Sequence, residues 1–320
     1  LSIAGPSLAN WLVSSKLHPR LYNNDGKSMT EKSAVVVWVK RVAIALAVLI
    51  VVVVVGGYAY LRHIGILSTP VYETEPPQMP AMSDNAILLL NKTNGFRHID
   101  ALPAADALFQ KIADNNGWDI YLTDNAATHN ADILSRFKLV VWNNVSGDVL
   151  TESQRADFKA WIEQGGAFVG VHGTGGDPSY EWDWYPQQLI GAQFTGHTYD
   201  PQFQDADVLV VGGDDLTAPL PRPWRIPQEE WYAFDRNPAD AGSELLLVLD
   251  EASYAPSGAR IDGWTAQMEG EHAIAWRHRV GKGKVLYSAI GHQAATYSIP
   301  EYQNFLEAAL RWAMAEQQTD

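Results

Sequence analysis

Gly165-Gly-Ala-Phe-Val-Gly-Val-His-Gly173 is the stretch that decides the fold. Ala167–Val171 is apolar at every position and bounded by glycines. A run without polar alternation reads as a strand buried on both faces, the habit of parallel sheets. Upstream, Thr151–Gln164 opens with Thr-Glu-Ser-Gln and stops at Gly165-Gly166, an N-cap with acid in the first turn and a glycine stop. The unit is therefore helix, glycine turn, buried strand, histidine.

Working outward, Ala86–Leu90 (AILLL), Trp118–Leu122 and Leu139–Trp142 (LVVW) repeat the short apolar strand. Leu102–Asn116 has helical spacing at Leu102, Ala105, Leu108, Phe109 and Ile112, and Asn115-Asn116-Gly117 ends it. This β-α alternation predicts a parallel sheet with helices on both faces. Beyond Gly173 the pattern loosens. Val208–Val211, Leu245–Asp250, Ala273–Arg277 and Val285–Ile290 read as strands, and Pro300–Ala315 as a closing amphipathic helix. Loops are expected at 172–203, 212–244 and 251–271, and loops of that length are usually functional. Gly281-Lys-Gly-Lys284 and Gly212-Gly213 read as turn glycines rather than phosphate loops. There are no internal repeats.

The 320-residue chain has 47% hydrophobic and 19% charged residues, enough apolar material for a packed core. Its charge of −14 is uneven. Up to Ser68, seven Lys and Arg face two acids, and the remainder carries 16 basic against 35 acidic residues. So acidic a domain repels phosphate backbones, which argues against nucleic acid as a partner. With no cysteine, disulfides, thiolate metal sites and a cysteine nucleophile are excluded.

Val42–Leu61 (VAIALAVLIVVVVVGGYAYL) is an uncharged run of bilayer length, with Trp38 on one side and Tyr58 and Tyr60 on the other. It reads as an uncleaved signal anchor, with a cleaved signal peptide as the rival. Lys32, Lys40 and Arg41 precede it and Arg62 alone follows closely, so the positive-inside rule puts the large domain on the periplasmic or extracellular side. The expected division is an N-terminal cytoplasmic segment 1–41, of which 1–28 precede the first Met, a transmembrane segment 42–61, a Pro-rich linker 62–82 and one domain over 83–316. The linker should hold the domain off the membrane.

Several segments together resemble one family. They are Gly95-Phe-Arg-His98, Asn144-Val-Ser-Gly-Asp-Val-Leu-Thr151, Gly165–Gly173, Trp182-Asp-Trp-Tyr185 with Gly196-His197, Glu229-Glu-Trp-Tyr232, Leu249-Asp-Glu-Ala-Ser-Tyr254 and Gly291-His292. In this order they resemble the ThuA-like, trehalose-utilisation family of the class I glutamine amidotransferase-like superfamily. The resemblance implies a flavodoxin-like three-layer sandwich with a mostly parallel sheet. Its pocket should lie at the C-terminal ends of the strands, where open α/β sheets bind ligands in any case.

In the resembled superfold the elbow after Val171 carries a cysteine nucleophile; here it carries His172. His292, after Val285–Ile290, matches the catalytic histidine, and the acid expected two residues later is Ala294. The triad thus lacks its nucleophile and its orienting acid, which excludes thioester hydrolysis of glutamine. His172 and His292 are the principal acid/base candidates, with their rings expected within roughly 10 Å, bracketing one small ligand. Glu229 or Glu230 would assist; in an extended chain only one of the two faces the pocket. His98, His197 and His272 sit at strand or loop ends, and Asp250 reads as a solvated surface acid. Trp182, Trp184, Tyr185 and Trp231, with Tyr232 and Trp264, are candidate sugar platforms, unless they pack their own loops. His172, His197, His272, His292 and Glu229 are zinc-competent types. None of these histidines stands i, i+4, so no residue is assigned to a metal, and a divalent ion stays open as cofactor. The resemblance implies the substrate class, a sugar or keto-sugar; the histidine pair suits acid/base chemistry on it, with proton abstraction beside a keto group as the first reaction to test. A non-catalytic carbohydrate-binding domain and a metal-dependent hydrolase are the rivals.

Overall fold

The computed structural model describes residues 31–212, 216–256 and 266–316. Residues 1–28, Gly213 and Trp264 lie outside the described residues. The chain divides at Ala59 into an N-terminal unit and the domain that begins at Tyr60.

Helix α1, Glu31–His63, has 33 residues, about 50 Å at 1.5 Å per residue. Its apolar side chains are exposed. It is long and apolar enough to cross a membrane, and a signal sequence fits the same description.

The domain runs β1 (Ala86–Leu90), α2 (Ala101–Asn116), β2 (Asp119–Thr123), α3 (Ala131–Leu134), β3 (Leu139–Asn143), α4 (Glu152–Gln164) and β4 (Ala167–Val171). Then come β5 (Phe194–His197), β6 (Phe203–Val210), β7 (Trp224–Glu230), β8 (Tyr232–Phe234), β9 (Glu244–Leu249), β10 (His272–Val280), β11 (Gly283–Ser288) and α5 (Pro300–Met314). Nine strands form one sheet in the order β2-β1-β3-β4-β11-β10-β9-β6-β7. The first five are parallel, the flavodoxin-like order, and the last four add antiparallel. β1, β3 and β4 are buried at every residue, as their unbroken apolar runs require. Helices α2 and α5 contact β3, while α4 contacts β11 together with the 185–190 turn, giving the three-layer sandwich. Thr151 caps α4 through a reciprocal capping box with Gln154, as the Thr-Glu-Ser-Gln motif predicts.

Two expectations are corrected. The 212–244 stretch is not a loop: it contains β7 and β8, and β8 pairs with β5 in a separate two-stranded sheet. The Pro-rich linker is not a spacer but a strap laid on the domain. Ile64 is buried and its carbonyl accepts the Arg97 N–H at 2.9 Å. Val71 exchanges two 3.1 Å hydrogen bonds with Asn94. Glu73 pairs with Lys92 at 2.6 Å and its carbonyl accepts from Gln154 at 2.7 Å. An extended chain has unpaired backbone groups, and here the domain surface satisfies them.

Candidate active site

β4 and β11 are adjacent and parallel, with Val171 beside Ser288 in register. The residues that follow them therefore emerge together at the C-terminal edge. His172 is fully buried and has φ 42°, a left-handed backbone that a side chain adopts only where its surroundings enforce it. Its Nδ1 donates to the Ala289 carbonyl at 2.7 Å, which fixes the neutral ring's tautomer and leaves Nε2 with the lone pair. That nitrogen lies 3.2 Å from His292 Nδ1 and 3.5 Å from Glu230 Oε2. His292 Nδ1 itself is 2.9 Å from Glu230 Oε2. The third ring, His98, comes from the loop after β1 and stands edge-on, its centroid 4.7 Å from both His172 and His292. Gly173 makes this approach possible, because a Cβ there would come within 2.8 Å of the His98 ring.

The two principal histidines thus lie on one side of the sheet, with centroids 5.1 Å apart. They are in contact, so no sugar-sized ligand fits between the rings. His172 lies beneath the pocket and His292 lines it. The orienting acid absent at Ala294 comes from β7 instead, and both adjacent glutamates serve His292. Glu230 meets its ring, and Glu229 Oε1 accepts its backbone N–H at 3.0 Å. Glu229 also accepts from the Glu230 N–H and the Thr296 hydroxyl. Glu229 is fully buried away from the pocket, so it holds the Gly291-His292 turn and does not reach a substrate.

Glu230 is the hub. Its Oε2 faces His172 and His292, while its Oε1 accepts from Gln202 at 2.5 Å and lies 3.2 Å from His197 Nδ1. Burial alone would raise its carboxyl, but the neighbouring His172 and His292 rings, with the charge of His292, outweigh this and hold it well below the usual carboxylate range. For His292 burial lowers the pKa, and the bond to and charge of Glu230 reverse this to a net rise. His98 is pushed well below the usual histidine range by burial, then by His172 and His292, so it is neutral at neutral pH.

Above these groups lies a 230 Å³ pocket lined by Phe96, His98, Asp177, Phe194, His197, Gln202, Glu230, Tyr232 and His292 among others. Concavities of 610 and 660 Å³ elsewhere are open grooves without such converging buried groups, so the smaller pocket is the candidate site. Asp177 is the residue that sequence reading missed. Burial raises its carboxyl to about 6, against a bond from the Gly147 N–H, with the Asp148 charge adding to the rise. The signal available was its place in the Gly-rich segment that follows His172.

Other candidates are positioned differently. His272 is buried, bonded to Glu251 at 2.7 Å and to the Tyr232 carbonyl at 2.7 Å, a brace behind the pocket wall. Trp231 is buried with its Nε1 donating to the Gln204 carbonyl. Trp182 and Trp184 stack on each other at 4.8 Å, with Lys159 over Trp184, and Tyr185 donates to the Thr174 carbonyl. These rings pack their loop against the core instead of facing the pocket. The aromatics that line the pocket are Phe96, Phe194 and Tyr232. Asp250 caps the 251–253 turn. Of the zinc-competent types read from sequence, only His172 and His292 converge. His98 and Glu230 join them, and the four donor atoms lie within 4.8 Å of one another.

Comparison with known proteins agrees with the topology. The family model for ThuA, trehalose utilisation, matches residues 86–313. A ThuA-like protein from Bacteroides uniformis ATCC 8492 superposes with TM-score 0.63 at 22% identity, covering 76% of this chain and 97% of its own. A second, from Parabacteroides merdae ATCC 43184, gives TM-score 0.53 at 14% identity, covering 72% and 89%. Comparison with curated proteins returns no match. Both structural likenesses concern the fold, and the family match spans well over half of the chain: it belongs to the ThuA, trehalose-utilisation, family.

Proposed function

We propose that the domain is an enzyme that moves a proton on a sugar or keto-sugar held in the strand-end pocket. Family membership supports a carbohydrate-related role. The observation that carries the reading is the pairing of two kinds of group around one pocket. Asp177 at the rim has a pKa near 6, suited to taking a proton at neutral pH. His292 lines the floor, its ring held by Glu230 at 2.9 Å and its pKa raised by the Glu230 bond and charge, and it suits donation to a developing enolate oxygen. His197 lines the same wall, its Nδ1 bonded to the Thr198 carbonyl at 2.6 Å, and serves as a second proton carrier. At 230 Å³ the pocket is smaller than the ~300–1,000 Å³ of drug-sized sites, which favours a single sugar ring. The binding-only rival has lost its exposed tryptophan platform. The α1 helix, as a signal anchor, would hold this enzyme on the outer face of the membrane.

The test is a turnover screen of mono- and disaccharides and their 3-keto derivatives. Turnover of at least one keto-sugar is expected, with kcat falling ~10²-fold in Asp177→Asn. Sugar binding without turnover of any member would contradict the enzyme reading.

A further inference from the structure

We infer that His98, His172, His292 and Glu230 bind one divalent transition-metal ion at the floor of the pocket. The inference deepens the proposed function by naming the electrophile that would polarise the sugar carbonyl. His172 has its proton on Nδ1, committed to the Ala289 carbonyl, so Nε2 offers a lone pair. Glu230 Oε2 offers another, 3.5 Å away. One proton on His292 Nδ1 can serve both, at 2.9 and 3.2 Å. It leaves His98 unserved: its Nδ1 is buried and without a hydrogen-bond partner. Such an atom costs about 1–3 kcal/mol if nothing meets it. A single proton cannot satisfy a convergent set of this size, whereas a cation can.

The surroundings fit the same assignment. Nitrogen and oxygen donors 2.0–2.1 Å from a common tetrahedral ion stand about 3.4 Å apart. The distances of 2.9, 3.2 and 3.5 Å among His172, His292 and Glu230 bracket that value, and all four donors fall within 4.8 Å. Metal-ligating histidines typically give their other N–H to a carbonyl, as His172 does. The second oxygen of Glu230 is held by Gln202 and faces His197, which leaves Oε2 for the ion. His292 is fixed through its backbone by Glu229. Three imidazoles and one carboxylate suit zinc, manganese or iron over magnesium or calcium. His98 and His292 line the pocket, so the open coordination position would face a substrate.

The experiment uses the full chain in detergent, stripped with chelator and titrated with Co²⁺ and Zn²⁺. One ion per chain is expected, with the visible d–d bands of low-coordinate Co²⁺ bleached by Zn²⁺. His98→Ala and Glu230→Gln should each weaken binding more than ~10-fold. His278→Ala, a histidine of the 610 Å³ groove, should leave one ion bound. Wild-type protein that takes up no cobalt, or takes it up equally in both ligand variants, would overturn the proposal. Turnover by fully stripped protein, unchanged on adding metal, would overturn it while leaving the carbohydrate reading intact. One bound ion with no sugar turnover would uphold the metal site and overturn the carbohydrate reading.

Discussion

Asp177, the proposed base, has a buried carboxyl that costs the fold stability at neutral pH. Its carboxyl is raised to about 6 by burial, so the folded state holds a proton that the unfolded chain releases near 4. Folding therefore gains from this proton below about pH 4, and the gain is lost as pH rises toward 6. Above pH 6 the ionised carboxylate is a net burden. Asn keeps an oxygen for the Gly147 N–H and has no charge to desolvate. Asp177→Asn should thus be about 1–2 kcal/mol more stable than wild type at pH 7 and equal to it near pH 4, read by denaturant melts at both values. An equal or lower stability at pH 7 would mean the carboxylate is better compensated than its burial implies. His98, His172 and His292 were legible in the sequence because buried strands announce where their ends must lie, whereas Glu230 was named only from the Glu229-Glu230 pair of the resembled family and not from the strand that carries it. Asp177 was not legible, since what buries it, including the Gly147 turn, comes from another part of the chain. Trp182 and Trp184 misled for the opposite reason: composition marks a ring's affinity for sugars, but only packing shows that the two rings bury each other.

At the scale of elements, the strap over residues 64–75 is tied to the loop that carries His98. Ile64 holds Arg97, Val71 holds Asn94, and Glu73 pairs with a Lys92 that is 8% exposed. Glu73→Ala leaves that ammonium nearly buried without its partner. Glu73 is itself 25% exposed, so the loss should be about 1–3 kcal/mol, below the 3–5 of a fully buried pair. A thermal melt of the variant measures it, and an unchanged melting temperature would show that the strap rests on the surface without supporting it. The proline content announced an extended segment truthfully but could not say against what it lies. The same limit hid β7. Trp224-Arg-Ile-Pro-Gln-Glu-Glu230 contains Pro227, which argues against a central strand, and the strand is in fact the last in the sheet, where proline is tolerated. The parallel half was readable because buried strands have no polar alternation to confuse.

The whole molecule joins an apolar helix to an acidic domain whose 230 Å³ pocket, lined by His98, Glu230 and His292 among others, lies at the carboxyl edge of its parallel strands. The excess of 35 acids over 16 basic residues after Ser68 disfavours anionic ligands, while neutral sugars carry no such penalty. The proposed activity exchanges a proton beside a sugar carbonyl in this pocket. The most direct measurement is proton NMR of a 3-keto-sugar in D₂O with full-length protein. The signal of the hydrogen next to the carbonyl should disappear with wild type, and do so ~10²-fold more slowly with Asp177→Asn. A signal that persists with wild type, or fades at the same rate with the variant, would contradict it.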